Sequence, residues 1–249
     1  MFALHTGPTP VFFGHGLPTD HVVSYAASFG PTTVEDIERR HCVALVRSGL
    51  MGMDAISVRD RNSARVVERL TGRMPQTVCD PVILYGYKDE MARFTPLNMD
   101  RYLLVYAYDN HMNGAEEVRA IREYARRKGL KTVSPGFYHS WCDRNVNVDP
   151  VELLRYFVQA ECVVTDTFHG TVMSLVTGRD MAVMLRDNGN KLVNLLEEYG
   201  LADRIVGDFS ELDNVFSRNI DYSRVNAELE RRRAAGMAFL TENLRRREP

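Results

Sequence analysis

In the stretch CVVTDTFHGTVMSLVTG, residues 162–178, an apolar run closes on Asp166 and a second apolar segment opens with His169 and Gly170. A carboxylate and an imidazole this close in sequence can handle protons. The pattern predicts a strand, a turn at Thr165, Asp166 and Thr167, and a helix starting near His169. The first N–H groups of such a helix lack intrahelical acceptors, and its N-terminus carries about half a positive charge. Gly170 would let a ligand come close to the backbone, with Thr167 and Thr171 supplying hydroxyls. Phosphate or carboxylate suits such a place. The helix end favours neutral His169, and a bound phosphate reverses that preference. The same residues equally fit a plain strand–turn–helix with Asp166 as a buried cap, since a lone His-Gly pair does not choose between the two.

Arg59 ends a second short apolar run, AISV, and is followed by Asp60 and Arg61. An arginine at a strand's carboxyl end can clamp a phosphate or carboxylate through two parallel bonds, and it can equally form an ordinary ion pair. Tyr25 and Ser28, near the end of HVVSYAASFG, can hydrogen-bond a sugar or fill a packed turn. Asp109, Asn110 and His111 follow the run RYLLVYAY and can meet a ligand's hydroxyls, although turn formation is their simpler use. His139 and Cys142 in HSWC have a metal-like gap but no second pair, so no metal is expected.

These candidates need a scaffold, and the chain alternates strand and helix patterns along most of its length, the mark of a parallel α/β sheet. A capping pattern at Thr32, Thr33, Glu35 and Asp36 predicts a helix to about Leu50, and QTVCDPVILYG reads as a strand closed by Asp80-Pro81. GAEEVRAIREYARRKG predicts an amphipathic helix ending at Gly129, and Asp149-Pro150 with Glu152 predicts another start. The polar stretch GYKDEMARFTPLNMD suggests a seam, giving a partial α/β domain over 1–90 and a Rossmann-like domain over 91–249 with a helical tail. In open parallel sheets ligands gather beyond the carboxyl ends of the strands. That rule selects the loops after Tyr25, Val58, Tyr108 and Val164.

Composition narrows the classes. The chain has 249 residues, 45% hydrophobic and 26% charged, with a net charge of −2, so no strong field points to nucleic acid or an anionic membrane. No apolar run approaches the ~20 residues of a membrane helix, and the first residues lack a signal-peptide pattern. Four scattered cysteines suit reduced thiols in a cytoplasmic protein.

Six ordered blocks, VVSYAASFGP, AISVRDRNSARVVERLTG, VCDPVILY, RYLLVYAY, AECVVTDTFHGTVMSLVTGRDMAVM and NKLVNLLEEYGLADRIV, resemble the polysaccharide pyruvyl transferase family. The resemblance runs from about His21 to the tail and is most specific at Ser24–Gly30, Ser57–Asp60 and Thr165–Gly170. It implies two Rossmann-like domains of GT-B type with a cleft between them, and no cofactor. It implies transfer of pyruvate from phosphoenolpyruvate to a saccharide, free or lipid-linked, forming a ketal. A lipid-linked acceptor would place the protein at the inner membrane face. The resemblance carries donor binding onto His169 and Arg59, and leaves Asp166 as a base or as the orienter of His169. Many members have an arginine two positions before the histidine, where this chain has Thr167. Members also usually begin further upstream, so the N-terminal domain is expected to be truncated, with a homo-oligomer or another partner completing it. Two other readings stand beside this one: a GT-B glycosyltransferase using a nucleotide sugar, and a non-catalytic truncated homologue.

Overall fold

The computed structural model describes residues 2–3, 7–186 and 189–244. The chain forms two compact units, residues 1–84 with 229–249, and residues 85–228. The first contains a short hairpin, β1 (Phe2–Ala3) with β2 (Gly7–Pro8), and then β3 (Val23–Ala27), α1 (Val34–Arg39), α2 (Val43–Met51), β4 (Ala55–Val58), α3 (Arg61–Thr71), β5 (Gln76–Thr77) and α4 (Pro81–Tyr85). β3, β4 and β5 make a parallel sheet in that order. Side chains alternate across it, as the pleat requires. Ile56 and Val58 join Ile37, Val46, Leu50, Val66 and Val67 on the face covered by α1 to α3. Val23, Tyr25, Ala26 and Ala55 face Phe239 and Leu240 of the tail on the other. Ala26 sits at a register shift in β3 with φ of 52°, and Ser57 fills the irregularity by accepting its N–H at 3.0 Å and donating to the Ser24 carbonyl at 2.9 Å.

Three local readings change. The helix expected to run to Leu50 breaks into α1 and α2, because His41 takes a left-handed φ of 54°. The strand expected to be closed by Asp80-Pro81 stops at Thr77. Beyond it Asp80 accepts the Val82 N–H at 2.9 Å and Pro81 opens α4, the arrangement that starts a helix. Third, the tail expected with the second domain packs with the first unit. It is the later part of α11 (Tyr222–Leu244), and Arg233 donates to the Ile83 carbonyl at 2.7 Å. Gly236 permits the approach: a Cβ there would lie 2.6 Å from the Tyr25 hydroxyl. Amphipathicity shows that such a helix has an apolar stripe, but not which sheet receives it.

The second unit holds α5 (Lys88–Ala92), β6 (Tyr102–Tyr106), α6 (Ala115–Lys128), β7 (Lys131–Pro135), β8 (Arg144–Val146), α7 (Pro150–Gln159), β9 (Cys162–Thr165), α8 (Phe168–Thr177), β10 (Met181–Met184), α9 (Asn190–Glu198), β11 (Ile205–Val206), α10 (Leu212–Ser217) and the start of α11. Its six strands are all parallel, in the order β11-β10-β9-β6-β7-β8. Both faces are covered, so the strands read as continuous apolar runs. Leu103, Val105, Cys162, Val164 and Ala182 pack against Ile121, Tyr124 and Ala125 of α6 and Leu212 and Val215 of α10. On the other face the Tyr102 hydroxyl reaches the Tyr156 carbonyl of α7 at 2.7 Å. The first strand of this sheet, β6, lies between its second, β7, and its fourth, β9. The order in which strands are laid down therefore reverses between β6 and β9, and a crevice at their carboxyl ends is where such folds hold ligands.

Candidate active site at the strand reversal

β9 ends in Thr165, whose buried hydroxyl donates to the Tyr106 carbonyl at 2.6 Å and accepts the Thr167 N–H at 3.1 Å. Thr167 is extended and caps α8: its hydroxyl accepts the Gly170 N–H at 2.9 Å. The cap is Thr167 and not Asp166. Thr171 donates its hydroxyl to the Thr167 carbonyl at 3.1 Å. Thr167, Gly170 and Thr171 are thus buried and engaged within the turn. On its Cβ side Gly170 is closed by protein. A Cβ there would meet the Thr165 hydroxyl at 2.1 Å and the Thr167 hydroxyl at 2.8 Å. His169 is exposed in the first turn of α8, its ring edge-on to Phe168 with centroids 5.5 Å apart.

Relieved of capping, the Asp166 carboxylate turns to the neighbouring strand ends. Its Oδ2 accepts from His111 Nδ1 at 2.9 Å and from Arg186 Nε at 2.9 Å. Arg186 also bonds Glu117 in the first turns of α6. The loops after β6, β9 and β10 supply these groups because the three strands are neighbours. Met112, with φ of 48°, and the His111 N–H bond to the Tyr108 carbonyl at 2.8 Å fold the first loop back toward Asp166. The Asp166 side chain is fully buried, and its Oδ1 has no hydrogen-bond partner among the described residues. Burial works against the Arg186 charge, but the bonds to Asp166 and Glu117 overcome it and hold the guanidinium above its ordinary value. Tyr106, Phe137 and Tyr108 meet edge to face in succession with centroids 5.4 Å apart, and Tyr108 meets the His111 ring in the same way.

Asp166 therefore orients His111, which is more than a turn former. With a carboxylate at Nδ1, the neutral ring carries its proton there and leaves Nε2 as the basic nitrogen. Arg186 and Glu117 were not foreseen. The strand-end rule would have found Arg186 had it been extended to the loop after β10.

The first unit keeps the other candidates. Arg59 donates through NH1 to the buried Asp80 carboxylate at 2.6 Å. Ser28 donates to Asp60 at 2.7 Å, and Asp60 caps α3 through the Ser63 N–H at 2.8 Å. Tyr25 donates to the Cys79 carbonyl at 3.1 Å beneath α11, and burial raises its phenol well above the ordinary range.

Among the described residues, no three His, Cys, Asp or Glu side chains are grouped to hold a metal ion. His139 is buried against the Ala107 carbonyl at 3.2 Å, and Cys142 is buried as a free thiol. No described helix is long and apolar enough to cross a membrane.

Solved structures share this fold. The α,α-trehalose 6-phosphate synthase from Burkholderia multivorans superposes with a TM-score of 0.53 at 10% identity, covering 86% of this chain and 64% of that one. The α,α-trehalose-phosphate synthase (UDP-forming) from Burkholderia vietnamiensis gives 0.50 at 10% identity, covering 90% and 65%. The chain thus spans less than two thirds of either protein, and at this identity the likeness is one of fold, that of GT-B glycosyltransferases. No curated protein matches it. The sequence profile of the polysaccharide pyruvyl transferases matches residues 10–188, and the chain belongs to that family.

Proposed function

We propose that the chain transfers pyruvate from phosphoenolpyruvate to two hydroxyls of a saccharide, forming a ketal and releasing phosphate. The observation that carries this reading is the cluster at the strand reversal, where buried Asp166 holds His111 and Arg186 while His169 stands exposed at the α8 N-terminus.

The donor's methylene carbon must gain a proton, which develops positive charge at C2. The first sugar hydroxyl then bonds to C2 and gives up its proton. The second hydroxyl bonds to C2 as the C2–O bond to phosphate breaks, and its proton leaves with the phosphate or to solvent. One hydroxyl proton balances the one gained by the methylene, so no oxidant or reductant takes part. The residues divide accordingly. His169, near the positive end of α8, receives the phosphate and can act as acid. His111, oriented by Asp166, is the base for the hydroxyls through Nε2. Arg59 is the first unit's proposed anion ligand, held at the strand end by Asp80. Tyr25 and Ser28 have no part in the chemistry.

Calorimetric titration tests the proposal. Phosphoenolpyruvate should give a binding heat that His169→Ala removes. Phosphate release with an added saccharide should fall in His111→Gln, with donor binding retained. Tight nucleotide-sugar binding with no heat from phosphoenolpyruvate would replace this reading with a glycosyltransferase.

A further inference from the structure

Residues 136–143 alone connect β7 to β8. Parallel neighbours are ordinarily joined by a longer crossover, usually a helix. Without one, the flank of α6 stays open, and a groove of about 940 Å³ lies between that helix and the connecting loop. This is within the size range of small-ligand sites. On the helix side stand Arg119, Arg122 and Arg126, spaced so that they share one face. All three are exposed, and none of their guanidinium groups forms a hydrogen bond or ion pair among the described residues, while the Arg122 charge helps to lower the Asp143 carboxyl across the groove. On the loop side lies Trp141, whose indole Nε1 is buried without an acceptor among the described residues. Asp109 and Asn113 line the groove too, and they flank His111 in the loop that reaches Asp166.

We propose that this groove binds an anionic oligosaccharide, one with carboxylates on some of its rings. The proposal rests on the pyruvyl transfer reading and extends it to the acceptor side. Unpaired guanidinium groups are suited to bidentate capture of carboxylates. The lining also holds Glu123 and Asp143. Glu123 pairs with Arg127 at 4.0 Å, and Asp143 accepts the Thr132 N–H at 2.8 Å. A nucleic acid, with a charge on every residue, would meet these acids repeatedly. A glycan with sparse carboxylates between neutral rings matches the mixed lining better.

Trp141 is the chain's single tryptophan, so its emission reports on this groove directly. The full chain is titrated with trigalacturonate, with a neutral trisaccharide and with a short single-stranded oligonucleotide, at low and high salt. Trigalacturonate should shift the Trp141 emission, and high salt should weaken the effect. Replacing Arg122 and Arg126 together by alanine should weaken it by about tenfold or more, the scale of a lost charge-assisted pair. Equal binding of the neutral sugar, tighter binding of the oligonucleotide, or no emission change in a folded sample each overturns the proposal. Phosphoenolpyruvate heats from the same samples separate the two readings. An emission response without donor heat keeps the groove and removes the transferase reading. Donor heat without a response does the reverse.

Discussion

Adding one methyl group at Gly170 tests what this glycine is for. In an open helix, Gly→Ala gains about 1 kcal/mol of helix propensity. Here the new Cβ would sit 2.1 Å from the Thr165 hydroxyl and 2.9 Å from the Thr165 Cβ. No shift of a few tenths of an ångström relieves that, so Thr165 must move. Its bond to the Tyr106 carbonyl, 2.6 Å long and buried, is then lost or stretched. An orphaned buried carbonyl costs about 1–3 kcal/mol, and overpacking a tight core about 1–3 more. After the helix gain is subtracted, Gly170→Ala should destabilise the second unit by about 1–5 kcal/mol, against the central value near 1 for point mutants. Denaturant unfolding followed by Trp141 emission, which lies in the same unit, measures it. If the variant unfolds within about 0.5 kcal/mol of the parent, an ordinary surface-mutation effect, while phosphoenolpyruvate binding falls sharply, Gly170 serves the ligand and the packing account is wrong.

Asp166→Asn leaves Arg186 paired with Glu117, so it should cost only about 1–3 kcal/mol while abolishing phosphate release, with both read on one preparation. Arg59→Ala strands the buried Asp80 carboxylate and should lower stability by about 3–5 kcal/mol, most of which the added change Asp80→Asn recovers; no recovery in denaturant melts removes the ion-pair account. Stability should also fall as pH rises above about 8.5, where thiols of the unfolded chain ionise. Burial pushes the Cys142 thiol up to about 12, so the folded form keeps that proton through the window, and Cys142→Ala should flatten the fall between those two values in melts taken across the range.

The β9–α8 turn was legible in the sequence because all its parts are contiguous: strand, cap and helix lie within one short window. What the sequence could not show is which hydroxyl caps and which carboxylate is left over. Thr167 and Asp166 are both good caps by type, and only the buried contacts of Thr165 decide between them. The partners of Asp166 were illegible for a different reason. His111 is 55 residues away and Arg186 is 20, and no periodicity links residues joined through the sheet order. Chain alternation predicted parallel sheets correctly, yet it could not show that β6 and β9 are neighbours. Tyr25 and Ser28 lie at a strand's carboxyl end as the rule requires, but no pattern in the sequence shows that Tyr25 donates to the Cys79 carbonyl or Ser28 to Asp60.

The placement of α11 also sets an order in time. Synthesis runs from the N-terminus, and the first unit's sheet emerges early. One of its faces remains bare until Phe239 and Leu240 are made, after every strand of the second unit. The second unit can therefore close first, while the first waits with Tyr25 and Cys79 uncovered. A nascent chain halted before residue 229 should resist protease in its later half and yield in its earlier one. A chaperone that shields exposed apolar sheet would have its work at the first unit, throughout the making of the second.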